Sequence, residues 1–192
     1  MINTRLLLLA AGQGSRLKPL TNNIPKGMVK IHKISLIENI ISLAQFNNIF
    51  DIDIVTGYKE SKINFQNVNK IYNSKYKSSN MFYSFLVALN SYNKINFDLI
   101  ISYSDIIYNN KVLKELYLSK KDITVVVDNN WKDYWKLRFE NPLSDAESCI
   151  IKNNTIIEIG KKIENYNKSK YQYIGLVKIK KKKLIKIKNN FI

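Results

Sequence analysis

The sequence predicts an α/β fold: a mostly parallel sheet with helices on both faces. Three observations predict it. Short apolar runs that read as buried strands alternate with segments whose apolar residues recur at helical spacing. The first of these runs empties directly into a glycine-bearing loop, the arrangement by which such sheets present ligands at the carboxyl ends of their strands. The chain also has 192 residues, 45% of them hydrophobic, enough to bury the core of one ordinary domain.

The elements follow in order. Leu6–Leu9, inside the apolar run Arg5 to Leu9, is the first strand. Met28 to Ile31 is strand-like, and His32 after it reads as structural. Ser35 to Phe46 places Leu36, Ile37, Ile40, Ile41, Leu43 and Ala44 at helical spacing, and Ser35 with Glu38 forms a capping-box pattern. Ile52 to Val55 is a second strand, ended by Thr56-Gly57. Lys70 to Tyr72 is a short third one, and Ser79 to Leu89 a helix with a Ser/Asn cap. Asp98 to Tyr103 is another buried strand, Val112 to Leu118 a short helix, and Ile123 to Asp128 a further strand. No repeat and no linker is visible, so the chain reads as a single domain over 1–192.

Composition excludes several classes of protein. Twelve Tyr, eight Phe and two Trp argue against disorder. No apolar run reaches the roughly 18–20 residues that span a bilayer, so no membrane insertion is expected. The first apolar run is too short for a signal-peptide core. One cysteine, Cys149, rules out an internal disulfide framework and suits a cytoplasmic location. One histidine and one cysteine cannot build a usual zinc site, so any metal would be a hard, oxygen-ligated cation such as Mg²⁺. The net charge of +16 suggests nucleic acid, but eleven lysines fall from Lys161 onward against one acid, Glu164. A local basic tail explains the total better than a binding face does, and no specific nucleic acid is expected.

The chemistry concentrates in residues 9–26. Leu9 runs into Ala10-Ala11-Gly12-Gln13-Gly14-Ser15-Arg16, then Pro19-Leu20-Thr21 and Pro25-Lys26. Small residues let the backbone approach an anion closely, and successive N–H groups form a positive nest. Arg16 can grip two phosphate oxygens, and Lys26 supplies a mobile point charge. The loop lacks the ending of a P-loop and has Leu17 where a dinucleotide fingerprint carries its third glycine. A second constellation, Ser104-Asp105, puts an acid at the end of a buried strand, where it can hold Mg²⁺ against phosphates. A third gathers Trp131, Tyr134, Trp135 and Arg138, then Asp145 and Glu147. Aromatic faces there suit an ammonium group, at roughly 0.5–2 kcal/mol per contact, and Arg138 suits a phosphate or phosphonate. The same aromatics would equally serve as packing. Cys149 reads as an inert buried thiol.

The string LAAGQGSRLKPLT…PK resembles the signature of the nucleotidyltransferase family that makes NDP-sugars and CDP-alcohols. The resemblance implies a Rossmann-like three-layer sandwich of the nucleotide-diphospho-sugar transferase type. It implies a triphosphate wrapped by Ala10, Ala11, Gly12, Gly14 and Ser15, with Arg16 and Lys26 stabilising the phosphorus under attack. It makes Asp105 the metal ligand, although Ser104 stands where the family has glycine. The Ser79–Ser84 stretch, the segment after Asp128, Asp145-Ala-Glu147 and Tyr173-Ile-Gly-Leu176 resemble the CTP-using branch. Those enzymes act on phosphocholine, 2-aminoethylphosphonate or other phosphorylated amino compounds, for cell-surface polysaccharide or phosphonate biosynthesis.

By that resemblance the reaction is cytidylyl transfer from CTP to a small phosphorylated acceptor, with Mg²⁺ as cofactor. The base would meet the edge of Leu9, Ala10 and Ala11 and the helix start at Asn80 and Ser84. The acceptor would meet Trp131, Tyr134, Trp135, Arg138, Asp145 and Glu147. A sugar-1-phosphate nucleotidylyltransferase is the alternative within the class, and a non-catalytic nucleotide- or RNA-binding protein with a basic tail is the alternative outside it. Oligomerisation is left open. Resembling enzymes continue past the Tyr-Ile-Gly-Leu strand with a second metal-binding acid, whereas here no acid follows Glu164. The expectation is therefore a domain truncated after about residue 178 and weakly active alone.

Overall fold

The structure is a computed structural model, and it describes residues 3–192. The chain divides into two compact units: residues up to Thr124 together with Gly175–Ile192 form the first, and Val125–Ile174 the second. Both junctions fall inside strands, Ile123–Asp128 and Gln172–Ile179. That is why no Pro/Gly-rich linker marks them in the sequence.

The first unit is built on β1 (Asn3–Leu9), β4 (Asp51–Thr56), β5 (Asn69–Tyr72) and β6 (Phe97–Tyr103). β1 pairs in parallel with β4 and β6, and β4 with β5. Leu6, Leu7 and Leu8 are fully buried, as a central parallel strand covered on both faces must be. With β7 (Ile123–Asp128) and β10 (Gln172–Ile179) the sheet has six strands in the order β5-β4-β1-β6-β10-β7. β10 runs antiparallel to β6, so the sheet is mixed but mostly parallel. Two short strands, β2 (Lys30–Ile31) and β3 (Ile34–Ser35), make a hairpin. Its turn residues His32 and Lys33 have positive φ, which gives the single histidine a turn position.

α1 (Leu36–Phe46) buries Leu36, Ile37, Ile40, Ile41 and Ala44, the predicted stripe. Its capping box is formed: the Glu38 N–H donates to Ser35 Oγ at 3.2 Å and the Ser35 N–H to Glu38 Oε2 at 3.3 Å. α2 (Met81–Ser91) starts at Asn80, whose side chain accepts from the Tyr83 N–H at 2.9 Å. α3 (Asn110–Leu118) is capped in the same way by Asn109.

The lysine-rich end is not a loose tail. α5 (Lys181–Phe191) buries Leu184 in the core formed by β1, β6 and α2, with Ile187 packed beside it. Asp98 on β6 accepts from the Lys181 N–H at 3.0 Å and so satisfies an orphan donor at the start of α5. Lys178 on β10 is 4% exposed. Its ammonium lies 3.7 Å from Asp98 and donates to the carbonyls of Tyr117 and Ser119 at 2.6 and 3.1 Å. Burial pulls its pKa below the usual lysine value, and Asp98 opposes that.

The second unit holds α4 (Trp131–Arg138), β8 (Glu147–Lys152) and β9 (Thr155–Lys162). β8 and β9 pair antiparallel through a two-residue Asn153-Asn154 turn with both φ values positive. A small core of Trp131, Ala146 and Ile163, with Trp135, Leu143 and Tyr166 against it, holds this unit together.

Candidate active site

A cavity of about 230 Å³ opens beyond the carboxyl ends of β1 and β6. Leu9, Ala10, Gly12, Gly14, Ser15, Arg16, Lys26 and Asp105 line it, with Leu17, Met81 and Ser104. These include both cations of the 9–26 segment, Arg16 and Lys26, and most of the loop residues that the sequence singled out.

The loop geometry follows from contacts a side chain would block. Gly14 sits at φ +63°, and a Cβ there would come within 2.8 Å of Lys26 Cβ and 3.3 Å of Thr21 Cγ2. The buried Thr21 donates its hydroxyl proton to the Gly14 carbonyl at 2.8 Å. Gly27 does the equivalent work for the second cation. A Cβ at Gly27 would meet Ile37 of α1 at 2.8 Å and Ser104 at 3.0 Å, so the turn Lys26–Met28 presses directly on the end of β6. Lys26 thereby lies beside Asp105, and their side chains form an ion pair. The carboxylate and the ammonium are each roughly a quarter to a third exposed, so the pair faces the cavity rather than the core.

Asp105 fits a Mg²⁺ ligand. Among the described residues no three His, Cys, Asp or Glu side chains cluster, so the protein offers no all-protein cage. Mg²⁺ usually needs none: it is held by one or two carboxylates, with substrate phosphates and water completing its shell. A single carboxylate beside the glycine-bearing loop meets that requirement.

Other predicted residues lie elsewhere. Ala11 is buried and does not line the cavity; its carbonyl accepts from the Tyr58 N–H at 3.0 Å. Asn80 caps α2, next to the cavity residue Met81. Ser84 is 3% exposed and its hydroxyl accepts from Asn73 Nδ2 at 3.0 Å, so it fastens α2 to the segment before it and does not line the cavity.

The acceptor candidates all belong to the second unit. Trp131 is a correction. It is fully buried, edge-on to Trp135 at 5.8 Å, and offers no ring face to a ligand. The aromatic spacing that suggested a cation cage serves the core of this unit, and Trp135 packs against it. Tyr134 is 55% exposed. The Arg138 guanidinium lies 5.0–5.4 Å from the rings of Tyr134, Trp135 and Phe139. Asp145 and Glu147 are exposed. Cys149 is a buried free thiol whose pKa burial pushes up, as expected of an inert cysteine. Tyr58, which the sequence did not single out, touches the loop twice. The signal was an aromatic directly after the strand-ending Thr56-Gly57.

No helix among the described residues is long and apolar enough to cross a membrane. The profile of the nucleotidyl transferase family matches residues 5–132. The chain is 40% identical over 180 residues to a CTP:phosphoglutamine cytidylyltransferase of Campylobacter jejuni, a match that covers 90% of this chain and 71% of that protein. It is 37% identical over 84 residues to a choline-phosphate cytidylyltransferase of Streptococcus pneumoniae, covering 42% of this chain and 37% of that one. Among solved structures, an inositol-1-phosphate CTP transferase from T. maritima superposes with a TM-score of 0.75 at 22% identity, covering all of this chain and 76% of that one. At that identity the likeness concerns the fold, which is the α/β sandwich expected from the sequence.

Proposed function

The chain belongs to the nucleotidyl transferase family, and from that premise we propose that it transfers CMP from CTP to a small phosphorylated amino compound, releasing pyrophosphate. The observation that carries the CTP assignment is the 40% identity, across 90% of this chain, to a CTP:phosphoglutamine cytidylyltransferase.

The reaction suits the residues in the cavity. An oxygen of the acceptor's phosphate attacks the α-phosphorus of CTP. The bond from that phosphorus to the bridging oxygen breaks, and pyrophosphate leaves with the electron pair. The nucleophile is already an anion at neutral pH, so the protein needs no general base. Its tasks are to align two anions and to neutralise charge that builds in transit. The N–H groups of the Gly12–Ser15 loop and the Arg16 side chain hold the phosphate chain. The Lys26 ammonium serves the α-phosphate, where the charge changes most. Asp105 would hold Mg²⁺, which when bound neutralises phosphate charge as a Lewis acid.

The test is a pyrophosphate-release assay of each of the four NTPs against phosphoglutamine, phosphocholine, 2-aminoethylphosphonate and a sugar 1-phosphate. Turnover with CTP and a phosphorylated amino compound is expected. Turnover with another NTP and the sugar phosphate alone would replace this reading with a sugar-nucleotide one.

A further inference from the structure

Tyr58 ties the phosphate loop to the end of the neighbouring strand. Tyr58 follows β4, two positions beyond its end, and meets the loop at both of its ends. Its N–H donates to the Ala11 carbonyl at 3.0 Å, where the chain leaves β1. Its hydroxyl donates to the Asn22 carbonyl at 2.6 Å, with the Thr21 carbonyl at 3.2 Å, where the loop turns toward Lys26. The approach is built into the backbone, because a Cβ on Gly57 would lie 2.8 Å from the Ala11 oxygen. From Thr21 the tie passes inward: the Thr21 hydroxyl holds the Gly14 carbonyl, and Gly14 packs against Lys26. Tyr58 itself does not line the cavity.

We propose that Tyr58 is a positioning residue for triphosphate binding, its phenol O–H fixing the span of the 11–22 loop so that the Gly12–Ser15 amides and Lys26 face one anion. The hydroxyl donates to two backbone carbonyls, so it directs the loop without consuming any N–H that a phosphate would need. This inference rests on the reading of the cavity as a nucleotide site, and extends it to a residue outside the cavity.

The experiment compares the parent chain with Tyr58→Phe, which keeps the ring and the backbone N–H and removes only the O–H. Calorimetric titration with inorganic tripolyphosphate reads the loop alone, independent of base and acceptor. A roughly 3–10-fold weaker Kd is expected, the size of one lost hydrogen bond. In turnover with whichever NTP the parent uses, KM for the NTP should rise by the same factor while KM for the acceptor stays put. Thr21→Val should weaken binding too, and the double variant should lose less than the product of the two, because both act on one loop. An unchanged tripolyphosphate Kd in Tyr58→Phe overturns the proposal. So does an equal rise in both KM values with a lowered Tm, which is the mark of general destabilisation. A parent chain that binds no tripolyphosphate overturns it together with the cavity reading. A parent that uses an NTP other than CTP overturns only the cytidylyl assignment and leaves Tyr58 tested.

Discussion

Replacing Asp105 by Asn is expected to move CTP affinity in opposite directions with and without Mg²⁺. In the cavity the Asp105 carboxylate holds the Lys26 ammonium. A metal-free nucleotide must break that pair before its phosphate can use the lysine. The two side chains are 26% and 31% exposed, so the pair belongs with solvent-screened ion pairs, worth about 0.2–1 kcal/mol, and not with buried ones. Removing it converts to a roughly 1.5–5-fold tighter Kd for CTP in EDTA, since 1.4 kcal/mol is a factor of ten. Loss of the carboxylate's repulsion for the phosphates acts in the same direction, so the range is a lower bound. With Mg²⁺ the sign reverses: a neutral amide is a poor ligand for a hard dication, so CTP in Mg²⁺ should bind the variant more weakly than the parent. Calorimetric titration of parent and variant in EDTA and then in Mg²⁺ reads both effects. A variant that binds CTP more weakly in EDTA as well would refute the idea that Asp105 restrains Lys26.

Three further outcomes are expected. Lys26→Ala should lower kcat about 10²–10³-fold with a smaller change in nucleotide binding, and Lys26→Arg should not restore it, because a planar fork cannot stand in for a compact ammonium; steady-state kinetics of the two variants decide this. Trp131→Ala should cost roughly 3–5 kcal/mol of stability in denaturant titration, whereas Trp131→Phe should cost far less, because the buried indole N–H finds no partner among the described residues and its loss removes a burial penalty. Burial pushes the Tyr108 hydroxyl up to about 12 from its ordinary 10, against the opposing hydrogen bond to Ser102. Between those values the unfolded chain has released the proton and the folded one has kept it, so stability falls as pH rises from 10 to 12. Thermal unfolding of Tyr108→Phe should show a shallower alkaline loss, and a slope identical to the parent's would sink the argument.

Much of the first unit was legible because its signals are local. The Leu6–Leu9 run, the Ser35/Glu38 capping box and the Asn80 cap need no tertiary information to be read. The convergence of Arg16, Lys26 and Asp105 was legible only through the resemblance. Its physical basis, Gly27 pressed between Ile37 and Ser104, depends on residues far apart in sequence. In α5 the lysines mask an apolar stripe of Leu184 and Ile187, which has meaning only against the core covering it, so the sequence alone shows a basic tail there. Lys178 and Asp98 show the same limit: two charges with nothing unusual about their neighbours, paired inside the protein. Trp131 failed in the opposite direction. An aromatic run carries no mark of whether its faces will meet a ligand or each other, and here they meet each other.

The place of β10 between β6 and β7 has a consequence for how the chain comes off the ribosome. β1, β4, β5 and β6 can pair as soon as β6 emerges, since their partners have already been made. The far edge of β6 then waits for a strand that is synthesised about 75 residues later, roughly 4–15 s at ordinary elongation rates. During that interval an apolar strand, buried at every position from Phe97 to Ser102 in the finished protein, presents unpaired amides and carbonyls to its surroundings. A slowed ribosome between codons 103 and 175 would lengthen the exposure of that edge to aggregation.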